Sequence, residues 1–494
     1  MFRLPPIFVC LVISSRFAFA APEPPPQRVL KLDLETAIQH ALARNFSIQV
    51  ERYDPKIAGE GVRAALGHFD PVFDVTAIHS DDQRREVFID GIRLQARTVD
   101  RLDRLSSGIS GVTAWGTKYD LGYGSRRQTG TPALFGEDYD TTASLNLVQP
   151  LLRGGGTAAN LMEVRIARSN VKVSEWSLRK RIIDVITTTN FVFNELQFAI
   201  EQLKVEKRSR ELARQLYKDN MARVEIGVKS PLDVTQARAE VAAREEGVIL
   251  AQRTVLDNEN LLKQLVTADM LAMLDTRVEI VPPPSPAFTP NVRGGVSDAL
   301  TLRPDYRQAL LDLEQRHIRV AFQKNQLLPR VDLTGSIELL GLDNDFGGSL
   351  GHLGRGDQTA WTAGVIFSIP LGNREARGQL NQARLEAAKA LVHLDELEQQ
   401  IIVDVDNASG QIVTSRERIT STREASRLAK ESLDAGEDRL RAGTGTTFEV
   451  LELQKKLAEA EAAELRAVSD YNKAVSEYQR QTGTSLREHH VVID

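Results

Sequence analysis

The chain has 494 residues, of which 42% are hydrophobic and 26% are charged, proportions typical of soluble proteins. Its formal net charge of −5 is too small to indicate nucleic acid or an acidic lipid surface as a partner. Aromatic residues are sparse at 6%, and long stretches are rich in Ala, Leu, Glu, Arg and Gln, which indicates long helices.

The N-terminus has the pattern of a secretory signal peptide, predicted at residues 1–20. Arg3 supplies a positive charge, Ile7 to Ile13 form an apolar core, and Ala18-Phe19-Ala20 fits a cleavage site. The only cysteine, Cys10, lies inside this segment, so disulfide and thiol chemistry are not expected in the mature chain. The signal peptide predicts that the chain is exported. No later window has 18 consecutive apolar residues, so if the chain enters a membrane it must do so through strands.

The rest of the chain reads as one duplication. "LNLVQPLLRGGGTAAN" begins at Leu145 and "VIFSIPLGNREARGQL" at Val365, and each is a strand-like run followed by Pro-Leu and a small or amide residue. A second matched pair contains Gly227 and Gly443. We therefore predict a first repeat at residues 21–281, a Pro-rich linker at 282–290 and a second repeat at 291–494, too long a period for a solenoid.

Within each repeat the breakers predict helix lengths. Leading helices of about 32 residues are predicted at 34–66 and 296–327, with Asp33 and Ser297 as capping residues. Long runs follow at 157–226 and 379–442, and return helices of about 37 residues follow at 232–268 and 446–482, so the turns fall at Gly227 and Gly443. The return helices carry heptad seams, which predict packing against neighbouring helices, at Val234, Ala237, Val241, Val248, Ala251, Val255, Leu262 and Leu265, and at Val450, Leu453, Leu457, Ala460, Ala467, Tyr471, Ala474 and Tyr478.

Two segments, from Val331 and from Ala360, alternate apolar and polar residues over about ten positions. This pattern fits strands of a membrane β-barrel around a wet lumen, although a soluble sandwich strand would look similar. About two long strands per repeat give about four per chain, which cannot close a barrel, so oligomerisation is expected. Residues 106–130 have strand character, but their pattern does not show whether they belong to the membrane strands or to an external hairpin.

Nothing in the sequence indicates catalysis. The eight histidines show no metal-ligand spacing, and "RGGG" at residues 153–156 lacks the Gly-Lys-Ser/Thr of a phosphate-binding loop. We therefore predict a protein that is not an enzyme, with no metal site and no cofactor.

The duplication, "VQPLLRGGG", "FSIPLGNR", "LRPDYRQA", "VEIGVKSPLDV" and "LRAGTGTTFEV" together resemble the outer-membrane efflux protein family, the TolC-like exit ducts. The resemblance implies a mainly α fold with membrane β-structure: a periplasmic α-barrel of long helical hairpins on a trimeric, 12-stranded outer-membrane β-barrel with four strands per chain. It implies a homotrimer in outer-membrane lipid, with a long periplasmic extension. It also implies a passive duct of a tripartite efflux or type I secretion system that docks to a periplasmic adaptor and an inner-membrane pump.

The resemblance also implies roles at the turns. Gly227, Ser230, Gly443 and Thr446 would form the adaptor-docking tip, and acidic residues past the turns, Asp233, Glu449 and Glu452, would gate the pore. Asp233 and Glu449 also fit capping boxes, which would explain them without a gate, whereas Glu452 lies a turn further on.

Two other functions remain open from the sequence: a non-conducting structural or adhesive outer-membrane stalk, and a soluble periplasmic coiled-coil adaptor. The sequence does not indicate the substrate, which could be a drug, a metal ion, a small molecule or a protein.

Overall fold

The computed structural model describes residues 28–87, 95–130, 133, 136–227, 230–282 and 288–492. The predicted signal peptide and most of the predicted linker lie outside the described residues. The first repeat contains β1 (Arg28–Leu32), α1 (Leu34–Arg44), α2 (Phe46–Glu51), α3 (Asp54–Leu66), β2 (Val72–Val87), β3 (Gln95–Val112), β4 (Lys118–Gly130), β5 (Glu137–Pro150), α4 (Thr157–Asn160), α5 (Met162–Glu225), α6 (Pro231–Val266) and β6 (Thr276–Ile280). The second contains α7 (Val292–Leu302), α8 (Pro304–Gln326), β7 (Arg330–Asp343), α9 (Phe346–Arg355), β8 (Gln358–Ser368), α10 (Arg374–Arg441), α11 (Thr447–Thr482) and α12 (Ser485–Glu488).

The leading helices are broken rather than continuous, which corrects the sequence prediction. Asn45 ends α1 with an extended backbone and caps α2, and Arg303, also extended, separates α7 from α8. Pro304 explains the second break, because a proline disfavours helical backbone in the residue before it. The capping prediction holds for Asp33, but Ser297 lies inside α7, whose N-cap is Asn291.

Two long helical hairpins dominate the fold, as predicted. The long helices α5 and α10 have 64 and 68 residues, and the return helices α6 and α11 have 36 each. Helix α5 packs against α11, so the four helices lie side by side in the order α6–α5–α11–α10. All the predicted seam residues of α6 and α11 are buried or half-buried, because the apolar stripe of each return helix faces its neighbours.

The strands form two sheets. β1 and β6 make a small parallel pair, and β2, β3, β4, β5, β7 and β8 make one antiparallel sheet in that spatial order. The large sheet therefore has two strands more than the about four membrane strands per chain predicted from the sequence. The two further strands are β3 and β4, which include residues 106–130; their glycines and charged upper halves obscure the alternation on which strand recognition depends.

Helix α9 lies on one face of the large sheet, across β5 and β7. Thr141, which is fully buried, donates a hydrogen bond to the Ser349 carbonyl at 3.0 Å. A Cβ atom on Gly341 would come within 2.0 Å of that same oxygen, so this glycine gives the helix room to lie flat on the sheet.

Candidate functional site

The turns of the two helical hairpins are built alike. Gly227 follows α5 with φ +76° and Gly443 follows α10 with φ +78°. Backbone in this left-handed region costs least where no Cβ is present, so glycine is strongly favoured at both turns. The predicted left-handed conformation is confirmed at both positions.

The caps of the two return helices differ. At α6, the Ser230 hydroxyl accepts from the Leu232 amide and the Asp233 carboxylate accepts from the Ser230 amide, which completes a capping box. At α11, Thr446 accepts from the Glu449 amide at 3.2 Å, but the Glu449 carboxylate pairs with Arg439 instead of reaching back. The predicted capping box therefore forms at Asp233 and only half forms at Glu449.

Polar contacts hold the two turns side by side. Arg223 on α5 donates to the Leu440 carbonyl on α10 at 3.2 Å. Asn220, which is 1% exposed, donates to the Asp233 carbonyl at 3.5 Å and accepts from the Thr447 hydroxyl at 3.4 Å. Asn220 thus ties the start of α6 to the start of α11, a role that the sequence analysis missed.

A small apolar core lies beneath these contacts. It joins both hairpins and consists of Leu216, Leu433, Leu440, Val450 and Leu457, all less than 9% exposed. Buried leucines at this end of the helices stabilise the turns as one unit, so the predicted tip residues of both repeats belong to one surface.

The predicted gate residues lie on two different helices. Glu449 and Glu452 lie on α11 and Asp233 lies on α6, and Asn220 links the starts of these two helices. Glu452 is half-buried and, within the described part of the chain, has no hydrogen-bond or ion-pair partner. Glu452 is therefore the acid in this group whose charge is not already engaged by a cap or an arginine.

The two Pro-Leu corners are the points where strand becomes helix. Strand β5 ends at Pro150, and the Gly154 amide then donates to the Asn325 side chain at 2.8 Å. In the second repeat Asn373, with φ +41°, donates to the Leu327 carbonyl at 3.1 Å. Both corners are thus fixed to the end of α8, so sheet and hairpins meet at one level of the molecule.

Halfway along the helices, Arg303 connects three elements. Its guanidinium donates to Asp305 at 2.7 Å, to Asp404 on α10 at 3.2 Å and to Gln481 on α11 at 3.0 Å. Burial opposes ionisation of Asp305, but the hydrogen bonds and charge of Arg303 hold the pKa of that carboxyl below its ordinary value of 3.8. The arginine at the break between α7 and α8 therefore fixes the leading segment of the second repeat to both helices of the second hairpin, α10 and α11.

Among the described residues, no group of three or more His, Cys, Asp or Glu side chains is placed to hold a metal ion. None of the helices in that part of the chain is long and apolar enough to cross a membrane.

Comparison with known proteins agrees with this architecture. A family model described as "Outer membrane efflux protein" matches residues 116–268 and 295–484. Nodulation protein T of Rhizobium leguminosarum bv. trifolii is 25% identical over 190 residues, which are 38% of this chain and 39% of that protein. The probable efflux pump outer membrane protein TtgC of Pseudomonas putida is 24% identical over 240 residues, 48% of each chain. The chain thus spans about half or less of the length of these curated relatives.

Solved structures share the fold over almost the whole chain. The Campylobacter jejuni CmeC outer membrane channel superposes with a TM-score of 0.67 at 18% identity, covering 92% of this chain and 86% of that one. The Vibrio cholerae outer membrane protein VceC gives a TM-score of 0.65 at 18% identity, covering 91% and 96%.

Proposed function

The chain belongs to the outer membrane efflux protein family, and we propose that it is a passive exit duct of a tripartite efflux or type I secretion system. It lies in the outer membrane, and its helices extend into the periplasm. The observation that carries the proposal is the continuity between a sheet with one apolar face and two long helical hairpins, joined at the two corners. A duct needs a lipid-facing part and a periplasmic tube joined in this way.

The edges of the single chain support assembly into a closed ring. Helix α6, at one edge of the helical layer, exposes Ile249, Leu250 and Leu256 by 52% or more. Helix α10, at the other edge, exposes Leu385 and Val392 by 66% or more. Strands β2 and β8 are likewise the unpaired edges of the large sheet. If the α6 and β2 edge of one copy pairs with the α10 and β8 edge of the next, repeated rotation closes a ring. The family resemblance sets the number of copies in that ring at three.

Conductance across a planar bilayer tests the duct. The purified trimer is expected to insert and to pass ions in steps of defined size. Insertion without conductance at any voltage would favour a non-conducting stalk. Recovery of the protein in the soluble periplasmic extract would instead favour an adaptor.

The tip surface is proposed to dock the periplasmic adaptor of the inner-membrane pump. Ser230 and Thr446 cap the first turn of each return helix and are exposed or half-exposed there. Substitutions that retain an N-cap oxygen but replace the exposed hydroxyl by an amide, Ser230→Asn and Thr446→Asn, are expected to weaken efflux while the trimer and its membrane insertion persist. Wild-type efflux in both variants would remove this surface from the docking site.

We place the gate at the acidic residues just inside the tip. Three copies of Glu452 would form a ring of negative charge that favours cations, as charged rings do in other pores. Glu449, paired with Arg439, and Asp233, engaged in a capping box, hold the helix ends at this level. In this arrangement the charge of Glu452 favours the passage of cations, while Glu449 and Asp233 fix the N-terminal ends of α11 and α6.

A further inference from the structure

The hairpin of β3 and β4 is inserted in the middle of the large sheet, not added at its rim. β3 pairs with β2 from Val72–Ser110 to Val87–Gln95, and β4 pairs with β5 from Lys118–Val148 to Thr129–Glu137. The two strands therefore separate β2 from β5 along their length. Any barrel that includes both β2 and β5 in this arrangement must also include the hairpin.

On one face of the sheet, an apolar row extends across all six strands, including the hairpin. A single row of directly paired residues crosses the sheet, and every member is large, apolar and exposed by 37% or more: Phe73, Ile109, Leu121, Leu145, Ile337 and Trp361. A row of exposed apolar side chains this wide needs an apolar medium to cover it. The hairpin strands share this requirement with the four strands predicted from the sequence.

The opposite face is small and polar across the same six strands. The next row consists of Asp74, Gly108, Gly122, Ser144, Glu338 and Ala360. Apolar on one face and polar on the other is the pattern of a barrel wall between lipid and a water-filled lumen. In an external hairpin both faces would contact water, so nothing would require its apolar and polar residues to alternate in register with those of the neighbouring strands.

Both ends of the hairpin lie at the same depth as the other strands. Six residues above the apolar row, the same face becomes polar or charged at His79, Asp103, Arg127, Tyr139 and Asp343. At the lower end, the turn between β3 and β4 is tied to the first corner, where the Gly156 amide donates to the Trp115 carbonyl at 3.0 Å. The hairpin thus extends from the level of the first corner to the level of this polar and charged row, as its neighbouring strands do.

We propose that β3 and β4 cross the outer membrane, so that three copies of the chain close an eighteen-stranded barrel instead of the twelve-stranded one implied by the family resemblance. This inference rests on the proposed trimeric duct. With strands about 4.8 Å apart and tilted by about 40°, twelve strands give a backbone radius of about 12 Å and eighteen give about 18 Å. The wider wall makes the outer exit suited to bulkier cargo than a twelve-stranded member could release.

Distances between protomers provide the test. Because the only cysteine lies in the predicted signal peptide, a single Ser336→Cys variant of the full chain can carry one spin label per protomer. Equivalent backbone positions in a trimer lie about 31 Å apart for eighteen strands and about 21 Å apart for twelve, from the same strand spacing and tilt. Pulsed electron paramagnetic resonance on trimers in lipid is expected to give the longer distance, and the shorter one would overturn the proposal.

Accessibility of the hairpin is an independent measurement. Nitroxides at Leu105 and Ile337, on the apolar face, are expected to collide with lipid-dissolved oxygen, and those at Ser106 and Ser336 with a water-soluble nickel chelate. Equal nickel accessibility at Leu105 and Ser106, with normal behaviour on β7, would place the hairpin outside the membrane. That result would refute the eighteen-stranded barrel and leave the duct intact, whereas loss of the pattern on β7 would refute the duct itself.

Deletion of residues 95–130 serves as the matched variant. β2 and β5 run in opposite directions and their upper ends are joined through the hairpin, so its removal leaves them able to pair directly. The distance between labels at Ser336 is expected to shorten by about one third, as the radius falls with strand number. An unchanged distance in a folded deletion trimer would show that the hairpin is not part of the wall.

Discussion

Leu457→Ala should loosen the tip without unfolding the molecule. Leu457 is 6% exposed and packs in the core formed with Leu216, Leu433, Leu440 and Val450, which joins both hairpins. Truncation of a buried leucine costs about 2–5 kcal/mol, and we expect about 3 kcal/mol here because the neighbouring leucines Leu451 and Leu453 are only partly buried and can relax. Local opening of the tip should become easier by that amount.

Native-state hydrogen exchange measures this opening directly. Amides in the first turns of α11 should exchange about 150-fold faster, because each 1.4 kcal/mol lost from the free energy of local opening raises the exchange rate about tenfold. Amides of α1, which pack in a different core, should keep their rates. Glu459→Ala, two residues further along and exposed, is the control and should change the rates by less than about threefold. Equal exchange in Leu457→Ala and Glu459→Ala would refute the assignment of this core as the element that holds the turns together.

Three further predictions concern the gate, the contacts of Arg303 and the position of α9. Glu452→Gln should reduce cation selectivity, measured as reversal potential in a salt gradient, with no loss of thermal stability; an unaltered reversal potential in a conducting trimer would exclude Glu452 from the gate. Because the folded pKa of Asp305 lies below 3.8, its contribution to stability is complete above about pH 4 and is lost as the pH falls through the lower folded value. Arg303→Met should therefore flatten the acid-side decline of the melting temperature, and an unchanged slope would contradict this. Gly341→Val should displace α9 and expose it to protease, whereas Gly335→Val, with open space around it, should not.

The sequence was most informative where one residue type is almost obligatory. Gly227 and Gly443 stand where the backbone has positive φ, and the two Pro-Leu corners end strands at the predicted places. It was least informative where tertiary contacts decide. Asn220 looks like a solvated helix residue until the neighbouring return helices bury it, and the pairing of Glu449 with Arg439 replaces a contact that local rules favour.

The strands show the same division. β7 and β8 alternate clearly between apolar and polar residues and were recognised as strands. β3 and β4 contain Gly108, Gly122 and Gly124, and glycine is neither clearly apolar nor clearly polar, so the alternation is hidden at these positions. Those glycines face the polar side of the sheet, opposite Asp74, Ser144 and Thr142 or one another. Their role is visible only once the register with neighbouring strands is known.

The parallel pair of β1 and β6 has a consequence for the order of folding. Arg28 pairs with Thr276, about 250 residues later, so β1 cannot pair until the whole first repeat is present. The helical hairpins contain contacts that are closer in sequence and can form earlier. Strand β1, although synthesised early, is therefore among the last elements to find its partner, and until then it presents a free strand edge that other chains could occupy.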